Sequence, residues 1–286
     1  MDAPRLPPAV LAAASDRAGG AMEVAATALD GLLEVAGDRE LLEEAVTVLE
    51  AGQPAMAPIW HLATAARSPD PRSALAALRA GLTADADAAV EAATTWLLDR
   101  LAAHPAGAHP GAVTTVSHSS LVDRVLDRLG PSPTADPGAR RTRTRRIVGP
   151  LHGRVAEPEA GSAGLSTAPP GADPTGAEGA GASTPPPGTE GAGSPTAPVV
   201  GVVGADAIGP VALLNADGTR QLAGRVPTLV VATAVKLVPA AVFGRLGGSG
   251  FEVVPLEALA AVVVGPEVLS PAQAGRRAAR VRPGRS

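Results

Sequence analysis

Hydrophobic and polar positions alternate along the chain in two different rhythms. Over residues 22–36, Met22, Ala25, Ala26, Leu29, Leu32, Leu33 and Ala36 recur at helical spacing, and Glu23, Thr27, Asp30 and Glu34 fall on the opposite face. Gly37-Asp38 ends that pattern, and Asp38 is placed to cap a second helix over 39–50, with Leu41, Leu42, Ala45, Val46 and Leu49 inward. Gly52-Gln53-Pro54 breaks the chain again. A third helix is expected over 55–67, a fourth after Pro71 and a fifth over 84–102. Consecutive helices with no strand pattern between them predict an α domain over residues 1–105.

After His104-Pro105 the rhythm changes. A short β-branched run over 112–116 precedes a helical pattern over 119–129, and Ile147-Val148 is a further candidate strand. Between Glu157 and Pro198 the sequence is almost entirely Gly, Ala, Pro, Ser and Thr with no apolar period. A segment of that composition buries too little to offset its ordering entropy. It reads as a disordered linker, dispensable for folding. Strand-like runs resume at Val199–Val203, 228–231, 252–254 and Ala261–Val264, separated by helical or turn segments. Alternating strands and helices predict a parallel α/β sheet. The expected class is thus α + α/β, with an N-terminal helical domain followed by a Rossmann-like parallel-sheet domain that a disordered insert splits. The expected parts are residues 1–105, 111–155, the linker 156–198, 199–268, and a frayed basic tail over 269–286.

Composition narrows the chemistry. Hydrophobic residues make up 45% of the chain but aromatic residues only 1%, so the core has to be built from Ala, Val and Leu. There is no cysteine, which removes disulfides, thiolate metal sites and thiol nucleophiles. A formal net charge of −4 argues against general attraction to nucleic acid or anionic membrane. No apolar run approaches the ~18 residues of a membrane helix. The start of the chain does not read as a secretory leader, so a cytoplasmic location is expected.

The five histidines, His61, His104, His109, His118 and His152, do not fall at HxxxH or HExxH spacing, and no metal site is expected. Ser117-His118-Ser119-Ser120 with Asp123 resembles the parts of a hydrolytic triad. Without a GxSxG elbow, Ser119 or Ser120 reads better as a helix N-cap, at a strand-to-helix turn whose free N–H groups suit an anion. The cluster Arg140, Arg141, Arg143, Arg145 and Arg146 lacks the interleaved aromatics of an RNA site and reads as a solvated lead-in to a strand. Asp206 follows a strand run, at the carboxyl edge where open parallel sheets bind ligands; a turn-forming Asp is the alternative. Lys236 follows another such run and is the only lysine in a chain that otherwise uses Arg.

Around these residues the chain resembles the family that joins the regulatory (alpha, beta, delta) subunits of eukaryotic translation initiation factor 2B with the methylthioribose 1-phosphate and ribose 1,5-bisphosphate isomerases. Gly204-Ala205-Asp206-Ala207-Ile208 is similar to its GAD-x-I motif, and Asn215-Ala216-Asp217-Gly218-Thr219 to the NKxGT end of the short hairpin that follows. An apolar strand leads to Lys236 and Pro239, and Phe251-Glu252-Val253-Val254-Pro255-Leu256-Glu257 is similar to a family block written fE-x-vPLE. Upstream, Gln53-Pro54-Ala55-Met56-Ala57-Pro58 resembles a family helix start, and Thr115 to Ser119 with Val122, Arg124 and Val125 a family strand-turn-helix. The chain reads as a divergent, bacterial-type member.

The resemblance implies a Rossmann-like C-terminal domain and a homodimer formed through it. It also implies a phosphorylated sugar or nucleotide ligand. Its candidate contacts are Ser117, Ser119, Ser120, Asp206, Asn215, Thr219 and Lys236, with Asp206 the catalytic group if there is one. No cofactor, metal, nucleic acid or membrane partner is implied, and a protein partner is left unidentified. The departures point away from catalysis. The isomerase Cys position falls on Ser117, the Lys of NKxGT is Ala216, and the ESRP-x-x-x-GR stretch survives only as Pro150-Leu151-His152-Gly153-Arg154. The expected function is that of an initiation factor 2B-like protein, non-catalytic and acting by partner binding with a degraded pocket. The alternative is an aldose 1-phosphate isomerase or a sugar-phosphate sensor.

Overall fold

The computed structural model describes residues 6–102, 112–116, 119–129 and 199–282. The insert 156–198, Ile147-Val148, the arginine cluster, Ser117 and His118 lie outside the described residues.

Helices α1 (Pro8–Ser15), α2 (Ala21–Glu34), α3 (Arg39–Gly52) and α4 (Ala57–Ala66) lead into α5 (Pro71–Ala102). Asp38 caps α3 as expected, its carboxylate accepting from Glu40 N and Leu41 N at 3.1 Å each. The first apolar cluster joins Leu29 and Leu32 of α2, Leu42 and Leu49 of α3, Ile59 and Leu62 of α4 and Leu75 of α5. Lacking bulky side chains, these helices approach closely. A Cβ on Gly31 would stand 2.7 Å from Val10 Cγ2, and one on Gly52 would stand 2.4 Å from the Ala14 carbonyl oxygen of α1.

The fourth and fifth expected helices are one continuous α5 of 32 residues. Gly81, which lies between the two expected helices, costs ~1 kcal/mol relative to Ala, less than packing on both sides of it returns. Leu75 and Leu82 of its first half complete the helical cluster. Ala89, Val90, Ala93 and Leu97 of its second half lie against the sheet.

That sheet has the order β1-β2-β5-β7-β8, from β1 (Ala112–Thr114), β2 (Val199–Val203), β5 (Thr228–Ala232), β7 (Ala261–Val264) and β8 (Glu267–Leu269). The first four run parallel, and β8 returns antiparallel to β7. Strands buried on both faces need apolar side chains throughout, which the Val-rich runs supply. One face packs on α5 and α6 (Ser120–Arg128), the other on α7 (Thr219–Ala223) and α9 (Pro271–Arg280); the short α8 (Ala240–Phe243) falls between these two in the chain.

Two expectations are corrected. The run at 252–254 belongs not to the parallel sheet but to a second, antiparallel one of β3 (Ala207–Ile208), β4 (Ala212–Ala216) and β6 (Phe251–Pro255), in the order β3-β4-β6. Its mixed exposure reflects this position at an edge. Over Pro271–Arg280 the basic stretch is not frayed but helical. Ser270 and Gln273 form a reciprocal cap, with Gln273 Oε1 accepting from Ser270 N at 2.8 Å, and α9 buries Ala274, Gly275 and Ala278. Its arginines occupy the outer face, where Arg277 pairs with Glu267 at 2.6 Å, and only small residues face in. That inner stripe of Ala and Gly is hidden in an Arg-rich composition.

Candidate functional site

The carboxyl ends of β2 and β5 open onto a cavity of about 490 Å³. Beyond β2 the chain turns through Gly204 and Ala205 to Asp206, whose backbone is fixed on both sides. Asp206 N donates to Leu214 O of the β3–β4 hairpin at 2.9 Å, and Asp206 O accepts from Ala57 N at the start of α4 at 3.1 Å. Beyond β5, residues Ala234–Lys236 form a single 3-10 turn. The carboxyl of Asp85, on α5, accepts a hydrogen bond from Ala234 N at the head of that turn. At its other end His61 Nε2, on α4, lies 2.9 Å from Leu237 O. Burial holds the His61 imidazole below its ordinary pKa, so the ring is neutral and donates to this carbonyl. Two rigid elements therefore present two charged side chains to one cavity.

Lys236 is only 3% exposed. Among the described residues, its ammonium closes no hydrogen bond and no ion pair within 4.0 Å. Burial lowers its pKa from 10.5 to about 8, against the opposing attraction of Asp206. Burial likewise raises the Asp206 carboxyl above its ordinary range, and Lys236 pulls it back part of the way. Buried polar groups in folded proteins are nearly always hydrogen-bonded, and buried charges paired. Here opposite charges lining one cavity attract each other without closing an ion pair.

The sequence-derived candidates divide as follows. Ser119, the N-cap of α6, and Ser120 line the cavity with Asp206, Asn215 and Lys236. Ser119 makes no side-chain capping hydrogen bond. Thr219 is withdrawn from the set, because it is fully buried and does not line the cavity. Its hydroxyl accepts from Asn215 Nδ2 and donates to Ala216 O, at 2.9 Å each, so it orients Asn215. Ser117 lies outside the described residues.

Sequence reasoning missed the opposite wall. The α1–α2 connection, Asp16 to Gly20, and the end of α3 also line the cavity. Asp16 folds this loop, accepting from Ala18 N at 2.8 Å and Gly19 N at 2.7 Å, which holds its carboxyl below the usual range. Gln53, buried at the C-terminal end of α3, clamps the loop from below, donating to Ala13 O and Asp16 O at 2.7 Å each. Arg17 donates to Ala14 O at 2.9 Å and adds a guanidinium to the lining. The Asp16–Gly20 loop showed in the sequence only a Gly-Gly pair ahead of a helix, too common to single out, and Gln53-Pro54-Ala55-Met56 stood out as a resembled helix start but not as a site. Among the described residues no three His, Asp or Glu side chains gather as a metal site, and no helix is long and apolar enough to cross a membrane.

Compared by sequence, the chain matches no protein-family model and no curated protein. Compared by structure, it superimposes on translation initiation factor eIF-2B of Pyrococcus horikoshii OT3 with a TM-score of 0.54 at 15% identity, over 93% of this chain and 98% of that one. The fold is that of the initiation factor 2B subunits. A chain of the tetrameric eIF2B-beta2-delta2 complex from C. thermophilum gives 0.54 at 13% identity, covering 94% of this chain and 91% of the other. The eIF2B beta of Chaetomium thermophilum gives 0.51 at 13%, covering 95% and 89%. In this initiation factor 2B fold the GAD-x-I segment and its hairpin form the Asp206 wall of the cavity, and the strand leading to Lys236 forms the wall beside it.

Proposed function

We propose that the chain is an initiation factor 2B-like protein that binds a phosphorylated small molecule, a sugar phosphate or a nucleotide, at the Asp206–Lys236 cavity and acts through partners rather than by turnover. One observation carries this reading. Lys236 and Asp206 are held at the carboxyl edge of the sheet, in one cavity, with no hydrogen bond from any described residue to meet their charges. A phosphate oxygen is of the size and charge that a lysine ammonium takes as a point contact. The start of α6 adds N–H groups and the favourable end of a helix dipole.

The test is thermal denaturation of the full chain with a panel of pentose phosphates and nucleotides. A ligand at 100 times its Kd should add about 2.7 kcal/mol of stability, an upward shift of several degrees. No shift with any phosphorylated compound would overturn the reading. The isomerase alternative is disfavoured by the absence of any thiol in the chain, with Ser117 standing at the Cys position of the resembled motif. Methylthioribose 1-phosphate is expected to be turned over no faster than by a Ser117→Ala, Asp206→Asn double variant. A cytoplasmic homodimer through the α/β part fits the same reading, and sedimentation of the purified chain tests the assembly.

A further inference from the structure

Lys236 has a property that phosphate binding does not require. The chain places Arg at every other basic position. An Arg guanidinium stays protonated at any working pH, whereas a lysine can release its proton and expose a nitrogen lone pair. Lys236 stands where that release is favoured. It is buried, no hydrogen bond from the described residues holds the ammonium form, and Met22, Met56, Val231 and Phe251 line the same cavity. Beside it Asp206 offers a carboxyl that can take up a proton or return one. The cavity also admits an anion. Arg17 lines it, as do the first turns of α2 and α6, helices of 14 and 9 residues. Its volume of about 490 Å³ lies within the range of small-molecule sites and far exceeds a lone phosphate ion.

We propose that the ε-amine of Lys236 captures an anionic aldehyde in this cavity as an imine, making the site a reversible covalent receptor for phosphorylated or carboxylated carbonyl compounds. The inference rests on the cavity being a ligand site. The steps balance without any further reactant. Neutral Lys236 Nζ attacks the carbonyl carbon and forms the C–N bond, while the π pair moves to oxygen. The Asp206 carboxylate takes a proton from the nitrogen and hands it to that oxygen, giving the neutral carbinolamine. The C–O bond then breaks, its oxygen leaves as hydroxide that solvent protonates to water, and the nitrogen lone pair closes the C=N bond as a protonated imine. Hydrolysis reverses the sequence and releases the aldehyde unchanged.

Capture should follow the neutral fraction of Lys236. With a pKa of about 8, roughly a tenth of the amine is free at about pH 7, against less than a thousandth for an ordinary lysine. The groups that face this nitrogen or its turn are Asp206 from the β2–β3 connection, Asp16 and Arg17 from the α1–α2 loop, Asp85 from α5 and His61 from α4. His61 is already neutral in this range and Asp16 already ionised, so neither distorts the profile.

The experiment uses the full chain, pyridoxal 5′-phosphate as the aldehyde, borohydride to reduce any imine, and peptide mapping by mass. With one lysine, only the N-terminal amine competes for labelling. The expected result is a Lys236 adduct that forms at least ~10-fold faster near neutral pH than on N-α-acetyl-lysine, with a half-maximal rate near pH 8. It should vanish in Lys236→Arg and slow in Asp206→Asn. Labelling confined to the N-terminus, or labelling of Lys236 no faster than the free amino acid, would overturn the proposal, and neither outcome depends on a variant folding. Pyridoxine 5′-phosphate, which lacks the aldehyde, separates the two readings. If it stabilises the protein but no adduct forms, the cavity binds anions and carbonyl capture is wrong. If neither occurs, both readings fall.

Discussion

Replacing Lys236 with Met should make the protein more stable, not less. The side chains have similar length and volume, so the packing around the 3-10 turn is kept. What changes is the cost of holding an ammonium away from water. The fall from 10.5 to about 8 is a penalty of about 3 kcal/mol on the charged form. The attraction of Asp206 is already contained in that value, so losing the pair is not a separate debit. Where the free Asp206 carboxyl then prefers its proton, the gain only grows. The sign follows from linkage. Between about 8 and 10.5 the unfolded chain holds a proton on Lys236 that the native chain has lost, so wild-type stability rises with pH across that window and is lowest below it. The advantage of Lys236→Met should be complete at neutral pH, where it moves the urea midpoint up by roughly 1 M, and should shrink as the pH climbs toward 10.5. Paired urea titrations at neutral and alkaline pH measure this directly. A variant equal to or weaker than wild type at neutral pH, or an advantage independent of pH, would refute the claim that Lys236 is a buried and poorly compensated charge.

Two further outcomes follow from the packing. Gln53→Ala should lower stability by about 2 kcal/mol, because it strips hydrogen bonds from the Ala13 and Asp16 carbonyls at a buried site, and differential scanning calorimetry would show it. A change of less than ~0.5 kcal/mol would mean that water takes over those carbonyls at no cost. Gly275→Ala should destabilise by ~1–3 kcal/mol despite the better helix propensity of Ala, since the new Cβ would stand 2.1 Å from Pro210 O; an unchanged or raised melting temperature would contradict the close seating of α9.

The parts of the fold that could be read from the sequence are those where local pattern and tertiary packing agree. α2 and α3 carry clean apolar stripes, and Val-rich runs mark β2, β5 and β7. The misreadings come where tertiary contacts override the local signal. Residues 71–102 read as two helices, but they form one α5 that packs helices on one half and the sheet on the other. The inner stripe of α9 is Ala-Gly-Ala, invisible to any hydrophobic count yet ideal for close approach. The β3–β4 hairpin was legible only through its resemblance to known motifs, because strands of two and five residues carry no usable period. The site divided the same way. Asp206 and Lys236 stood out because they follow apolar runs, while Arg17 and Gln53 come from a distant stretch of chain that only folding brings to the sheet edge.

That division explains how the site is held. Neither Asp206 nor Lys236 is positioned by the sheet alone. The peptide of Asp206 hangs on Ala57 N of α4, and the turn carrying Lys236 is gripped by Asp85 of α5 at one end and His61 of α4 at the other. The far wall is the α1–α2 loop, folded by Asp16 and fastened by Gln53 of α3. Every one of these supports belongs to the helical region, and each is a hydrogen bond to backbone rather than to a reacting group. A ligand that bridges Lys236 and the start of α2 would therefore draw on both layers of the molecule at once. Its binding energy would bear on how the helices sit against the sheet edge, which gives the pocket a physical route to influence the surface of the chain. The same arrangement accounts for a charge retained at a cost in stability. A buried ammonium that meets no hydrogen bond from the described residues is explained by a use for its lone pair or its charge, since a methionine is expected to serve the packing at least as well.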